Sequence, residues 1–184
     1  MTGPALTLAA LLAATVTSGL LAGVYLLYAH TVMPGLRTLD DRTFVTAFQA
    51  LDRAIVNPWF MGLGFLGAPA LTAVALAGTW GEPAAASVAS ALVLHVVAMV
   101  VTARVHLPRN DAVKAAGDPD ILSADDLVAV RSAFDEHGWV RWNLLRAAFD
   151  EAGWARWNLP RAVTSVAATG ILAWALVLTA RTTG

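Results

Sequence analysis

The chain alternates long apolar runs with short polar ones. Residues 1–36, 54–81, 83–103 and 162–180 contain no Lys, Arg, Asp or Glu. Each run reaches or exceeds the roughly 18 residues with which a helix crosses the hydrocarbon of a bilayer. Lipid leaves no water to satisfy a backbone, so only helices and closed barrels span it, and the period-two alternation of a barrel strand is absent. The pattern predicts an all-α protein, a four-helix transmembrane bundle with spans at about 5–29, 59–80, 84–105 and 162–180. It forms one integral membrane domain over residues 1–184. A cleaved leader is not expected at the start, because the first run lacks a basic n-region and is longer than an h-region.

Between the first two spans the period changes. In "LDDRTFVTAFQALDRAIVNPWF", Phe44, Phe48, Leu51 and Ile55 share one helical face, while Thr46, Gln49, Asp52 and Arg53 lie off it. This is a short amphipathic helix, lying at the interface or tucked under the bundle. Asn57 and Pro58 suit the N-cap and first turn of the second span. The segment 106–161 before the last span reads as a helical extension, and "SADD" (Ser123 to Asp126) opens a helix there as a capping-box variant.

That extension contains a tandem duplication. Residues 131–145 and 146–160 align without a gap and are identical at 11 of 15 positions. The second copy has Pro160 where the first has Leu145, and proline suits the first turn of a helix. Copy two is therefore expected to lead into the fourth span, and copy one to project as a tolerated insertion.

Charge orients the bundle. Eleven of the 12 basic residues fall in or beside the 30–58 and 106–161 segments, and only Arg181 lies on the other side. The positive-inside rule then places both loops in the cytoplasm and both termini outside the plasma membrane. A composition of 58% apolar and 14% charged residues, with net charge −1, makes the lipid bilayer a partner and excludes nucleic acid. With no cysteine there is no disulfide, thiolate metal site or cysteine nucleophile. Gly19 and Gly23 form a small-xxx-small pair that allows close helix approach. Self-association into a homo-oligomer is left open.

"GLGFLG" (62–67) matches the dinucleotide fingerprint G-x-G-x-x-G, but that motif works only between a strand and a helix. Inside an apolar span, helix packing is the better reading. His95 lies within the third span, where an ionisable group is a functional candidate by default. It is 11 residues, roughly 16 Å of helix, from His106, so the two cannot share a metal.

Four blocks together carry a resemblance: "VMPGLRTLDDRTFVTAFQ" (32–49), "NPWF" (57–60), "HLPRNDAV" (106–113) and "WNLPR" (157–161). In this order and spacing the chain resembles the anthrone oxygenase-like family of small four-span membrane proteins. Members usually show Asn-Val-Pro-Leu-Asn where this chain has His106, Leu107, Pro108, Arg109 and Asn110, and they carry one Trp-Asn-x-x-Arg block rather than two. The resemblance implies oxidation of an anthrone methylene to a quinone by O2 in polyketide pathways, a monooxygenase and hence oxidoreductase activity.

Such chemistry needs a base, donors that hold an oxyanion, and a dry aromatic pocket for a flat lipophilic small molecule. The cytoplasmic ends of the spans offer candidates. His106, Asn110 and His30 are the catalytic candidates; Asn57, Trp59, Trp157, Asn158 and Arg161 are the substrate-binding ones. Against these stand plain structural readings: Asn57 and Asn158 as caps, the tryptophans as an interfacial belt, and Arg161 as a topogenic charge. No cofactor is predicted and O2 is the co-substrate; a metal held by His30 and His106 stays open but unsupported, because the two lack a definite carboxylate partner. The alternative is a non-enzymatic four-span protein that binds or moves a lipophilic molecule or supports a partner.

Overall fold

The computed structural model describes residues 3–136 and 153–183, with side chains from 3 to 134 and from 160 to 181. Every regular element among them is helical. Four helical stretches are long and apolar enough to cross a membrane: Gly3–Arg37, Trp59–Gly78, Ala85–Ala115 and Pro160–Arg181. They coincide with the four charge-poor runs, and the third extends well beyond its run at the C-terminal end.

Three of these stretches change their hydrogen-bond pattern on the way. Helix α1 (Gly3–Leu27) passes through a π-turn at Tyr28–Val32 into α2 (Met33–Arg37). Helix α3 (Asp41–Ile55) follows, and then a π-helical segment, Trp59–Leu66, leads into α4 (Gly67–Gly78). Helix α5 (Ala85–Val101) passes through a π-turn at Thr102–His106 into α6 (Leu107–Ala115). Helices α7 (Ala124–Glu136) and α8 (Gly153–Thr183) complete the chain. In the two short π-turns the closing amides reach back five residues, Met33 to the Tyr28 carbonyl and Leu107 to that of Thr102.

The chain divides into two compact units. The first comprises Met1–Tyr25, Asn57–Val100 and Arg161–Gly184. Its core is built from small side chains: Ala10, Ala14, Ala75, Ala91, Ala168 and Ala175 pack with Leu11, Val88 and Leu172. Small residues let helix backbones approach closely, which is the main source of association where lipid is as apolar as the protein. At Gly19 a Cβ would already touch Thr169 Cγ2 at 3.6 Å, and at Gly78 it would collide with Thr7 Oγ1 at 2.6 Å. Among the described residues nothing lies within 4 Å of a Cβ placed at Gly23, so there only the first glycine of the expected pair serves a close approach.

The second unit comprises Leu26–Val56 and Val101–Pro160. Here α3 packs against α6 and α7. Its apolar face supplies Phe44 and Phe48 to a core with Met33, Leu36, Val113, Leu127 and Phe134. Its polar face is covered too. Gln49 is buried and donates to the carbonyls of Val113 (3.0 Å) and Gly117 (2.9 Å), which closes the C-terminal end of α6. Helix α3 is thus amphipathic as expected, but its polar side meets protein.

Asp40 caps α3 by accepting from the Thr43 amide (3.0 Å) and hydroxyl (2.6 Å). These bonds hold its carboxyl below the ordinary aspartate range. Ser123 and Asp126 form the expected reciprocal cap of α7: the Asp126 amide donates to Ser123 Oγ at 3.1 Å, and the Ser123 amide to Asp126 Oδ2 at 3.3 Å.

Two expectations about the duplicated block change. Most of it, residues 137–152, lies outside the described residues, His137 included. The first residues of copy one do not project, however. Arg131 and Phe134 belong to α7: Phe134 is 1% exposed between Phe44 and Phe48, and Arg131 donates to the carbonyls of Leu39 and Arg37. The Phe-rich face of α3 needs a large apolar partner, and copy one provides it. Pro160 also falls inside α8 rather than in its first turn, because the helix starts at Gly153. Proline lacks an amide donor, so it interrupts one hydrogen bond there without ending the helix.

Candidate functional site

A cluster of polar side chains in the second unit lies where α3 meets α6. His106, Asn110 and Lys114 are spaced i, i+4, i+8 and so follow one stripe of the helix. Across from them stands Asp52 of α3, only 7% exposed. Its Oδ1 accepts from Asn110 Nδ2 at 2.6 Å, and its Oδ2 lies 2.9 Å from Lys114 Nζ. Lys114 also reaches Asp111 at 2.9 Å. His106 is buried at the end of the π-turn, one turn before Asn110, and the buried Arg109 donates to the Val105 carbonyl at 3.3 Å.

The geometry alters the role expected of Asn110. A carboxylate can only accept, so the amide nitrogen must face Asp52 and the amide oxygen must point elsewhere. That oxygen is buried and accepts no hydrogen bond among the described residues. Asn110 therefore offers an acceptor where the sequence suggested a donor. Asp52 was passed over in the sequence because it sits on the polar side of an amphipathic helix, where a solvated carboxylate is the ordinary occupant. Gln49 and Asp52, three residues apart on that side of α3, are both buried.

His30 does not join this cluster. It lies exposed in the first π-turn, where Nδ1 is 2.6 Å from Thr31 Oγ1. Among the described residues no three His, Asp or Glu side chains are placed to hold a metal ion.

In the first unit, Asn57 caps the second span, its Oδ1 accepting from the Phe60 amide at 2.9 Å. Trp59 is 77% exposed, the disposition of a belt aromatic. Arg161 is more than a surface charge: it is buried, with its guanidinium carbon 4.3 Å from the ring centroid of the buried Tyr25. His95 is buried and bonds through Nε2 to Ser18 Oγ at 2.9 Å, joining α5 to α1. Trp157 and Asn158 lie in the first turns of α8, and their side chains are outside the described residues.

The "GLGFLG" glycines acquire a local reason. A Cβ at Gly67, the first residue of α4, would sit 2.6 Å from the Gly62 carbonyl oxygen, five residues back in the π-helical segment. A Cβ at Gly64 would meet Leu21 and Phe60 only at ordinary distances, 3.8 Å. The motif thus serves a wide helical turn, and among the described residues no strand lies beside it.

Four membrane-spanning helices, with buried polar side chains gathered where α3 meets α6, define an integral membrane protein with the makings of a chemical site. The family model for anthrone oxygenase matches residues 56–153, more than half of the chain. The chain belongs to the anthrone oxygenase family. The match takes in the "NPWF" and "HLPRNDAV" blocks and leaves 32–49 and 157–161 outside it. No curated protein and no solved structure matches the chain.

Proposed function

We propose that this protein oxidises a flat, lipophilic anthrone-type polyketide with O2, using side chains of the α3–α6 cluster. Family membership supports the reaction class. The observation that carries the placement is the stripe of His106, Asn110 and Lys114, with His106 buried and the buried Asp52 held by Asn110 and Lys114.

The chemistry asks for no redox group on the protein. His106 takes a proton from the anthrone methylene, leaving an electron-rich, delocalised anion. This anion passes one electron to O2, and the resulting radical pair joins in a C–O bond to give a peroxide. Loss of the second methylene proton then breaks the O–O bond, leaving a carbonyl on carbon and releasing the other oxygen as water. One CH2 and one O2 give one C=O and one H2O. The protein contributes a base, fixed polar groups and exclusion of bulk water. Trp157 and Asn158, which precede the fourth span, are assigned to substrate binding.

Purified protein incubated with an anthrone should consume O2 and form the quinone well above the spontaneous rate, with or without chelator. His106→Ala, which removes the base, should lower turnover on the order of a hundred-fold or more, and Asn110→Ala, which removes a positioning acceptor, roughly tenfold or more, both leaving a monodisperse, membrane-inserted protein. Absence of oxidation above background by the wild type would overturn the reading. Unchanged variants would remove these two residues from the mechanism.

A further inference from the structure

We infer that Asp52 is a positioning residue that makes the site selective for a ligand carrying a hydroxyl donor, such as a phenol on a flat aromatic skeleton. This rests on the α3–α6 cluster being the substrate site, and it adds a residue and a polarity that family membership does not assign.

The argument starts from the two ends of one amide. Asn110 Nδ2 is 2.6 Å from Asp52 Oδ1, and reversing the amide would set two oxygens against each other. Asp52 is itself anchored, because Lys114 Nζ lies 2.9 Å from its other oxygen. The carboxylate therefore acts as a lock on the Asn110 rotamer. The consequence appears at the far end, where Asn110 Oδ1 is buried and accepts no hydrogen bond among the described residues. A buried acceptor left unsatisfied is costly, and native proteins keep few of them. A ligand O–H directed at Oδ1 removes that cost. A ligand with a methoxy group or hydrogen at the same place does not, and leaves the acceptor stranded. The preference should amount to roughly ten- to a hundred-fold in affinity.

The test compares 2-hydroxyanthraquinone with 2-methoxyanthraquinone, which bind without turning over, by tryptophan fluorescence quenching in detergent or nanodiscs. Wild type should prefer the hydroxyl compound by about tenfold or more. D52N should reduce that preference to within about threefold, because the amide of Asn110 is then free to reverse. N110D should lose it as well, with two carboxylates facing each other. The exchanged pair D52N/N110D rebuilds a donor facing a carboxylate and leaves the second oxygen of residue 110 as the acceptor, so it should regain the preference. A merely structural role for Asp52 would change stability without altering the hydroxyl-to-methoxy ratio.

The inference is overturned if wild type binds the two compounds alike or binds neither. It is also overturned if D52N folds and keeps the full ratio, or if the exchanged pair folds and fails to restore it. Oxygen uptake with the matching hydroxy- and methoxyanthrones separates this from the proposed activity. Selective binding without oxidation sinks the oxygenase reading alone. Oxidation with equal kcat/KM for the two anthrones, in wild type and D52N, sinks the inference alone.

Discussion

Removing residues 131–145 takes out one full period of the duplication, and the structure says what the shortened chain gains back. In the full chain, Phe134 is buried against Phe44 and Phe48, with ring centroids 5.8 and 4.6 Å away. Arg131 lies over the Phe44 ring at 4.7 Å and donates to the Leu39 carbonyl at 2.8 Å and the Arg37 carbonyl at 2.9 Å. A deletion of these residues would ordinarily be severe. Truncating a buried phenylalanine to alanine alone costs about 3–5 kcal/mol. In a protein of this size that corresponds to roughly 6–20 °C in Tm.

The repeat changes the outcome. After the deletion, Val130 is followed by Arg146, Ala147, Ala148 and Phe149, so arginine and phenylalanine return at the same two positions of α7. The deletion variant should therefore keep its Tm within about 4 °C of wild type, the equivalent of roughly 1 kcal/mol. Phe134→Ala in the full chain should show the full loss. Phe149→Ala, made in the shortened chain, should acquire that same loss. Thermal unfolding of detergent-solubilised protein, followed by loss of the monodisperse peak, reads all three. If the deletion variant unfolds, or Phe149→Ala is silent within it, copy two does not step into the place of copy one and the register argument is wrong.

Other expectations follow from single positions. Gly67→Ala should destabilise, against the usual gain of up to about 1 kcal/mol for Gly→Ala in a helix, because its Cβ would meet the Gly62 carbonyl oxygen at 2.6 Å; a raised Tm would refute the π-turn reading. Gln49→Leu strips the donor from two carbonyls at the end of α6 and should cost about 2 kcal/mol or more in chemical unfolding, with Gln49→Glu no better, since a carboxylate cannot donate. The cap on α3 should weaken in acid. The native carboxyl of Asp40 is held below its unfolded value, so its stabilisation is present above the unfolded value and fades as pH falls through the lowered native one. Asp40→Asn should keep a cap and lose this acid sensitivity, so identical acid-unfolding profiles would count against the assignment. Reporter fusions after Lys114 should behave as cytoplasmic and fusions at Gly184 as external. A cytoplasmic C-terminus would contradict the charge-based orientation.

What could be read in the sequence is what depends on neighbours. The spans were legible because charge cannot be tolerated over some 18 residues, and the Asn57 and Ser123 caps because a cap acts within three residues. The π-turns were not, since an amide that reaches five residues back leaves no fixed residue pattern. Gly62 and Gly67, five apart, were the nearest thing to a signal. Asp52 was missed for a different reason. A helix covered on both faces has the same apolar stripe as one lying on a surface, and the partners that cover it, Asn110 and Lys114, arrive about sixty residues later in the chain. His30 drew attention as an interfacial histidine, yet nothing local distinguishes an exposed histidine from one drawn inward.

The polar side chains of the second unit serve chiefly to close its backbone. Short helices leave many carbonyls without amide partners, up to four at each C-terminal end. Arg131 takes up those of Arg37 and Leu39 after α2, Arg42 those of Pro119 and Leu122 before α7, and Gln49 those of Val113 and Gly117 at the end of α6. Each of these residues reaches across more than 60 positions of sequence, so the polar groups tie together loops that no apolar contact of comparable size would hold. Asn110 departs from this practice. It has a carboxylate for its nitrogen and no donor among the described residues for its oxygen, although a residue one turn either way along α6 is buried or ion-paired. A buried acceptor with no donor among the described residues, set beside a carboxylate that is itself anchored, marks a place where a protein acts on something other than itself. That is why the acceptor beside Asp52, rather than the more conspicuous histidine of the third span, is the group on which the substrate test is built.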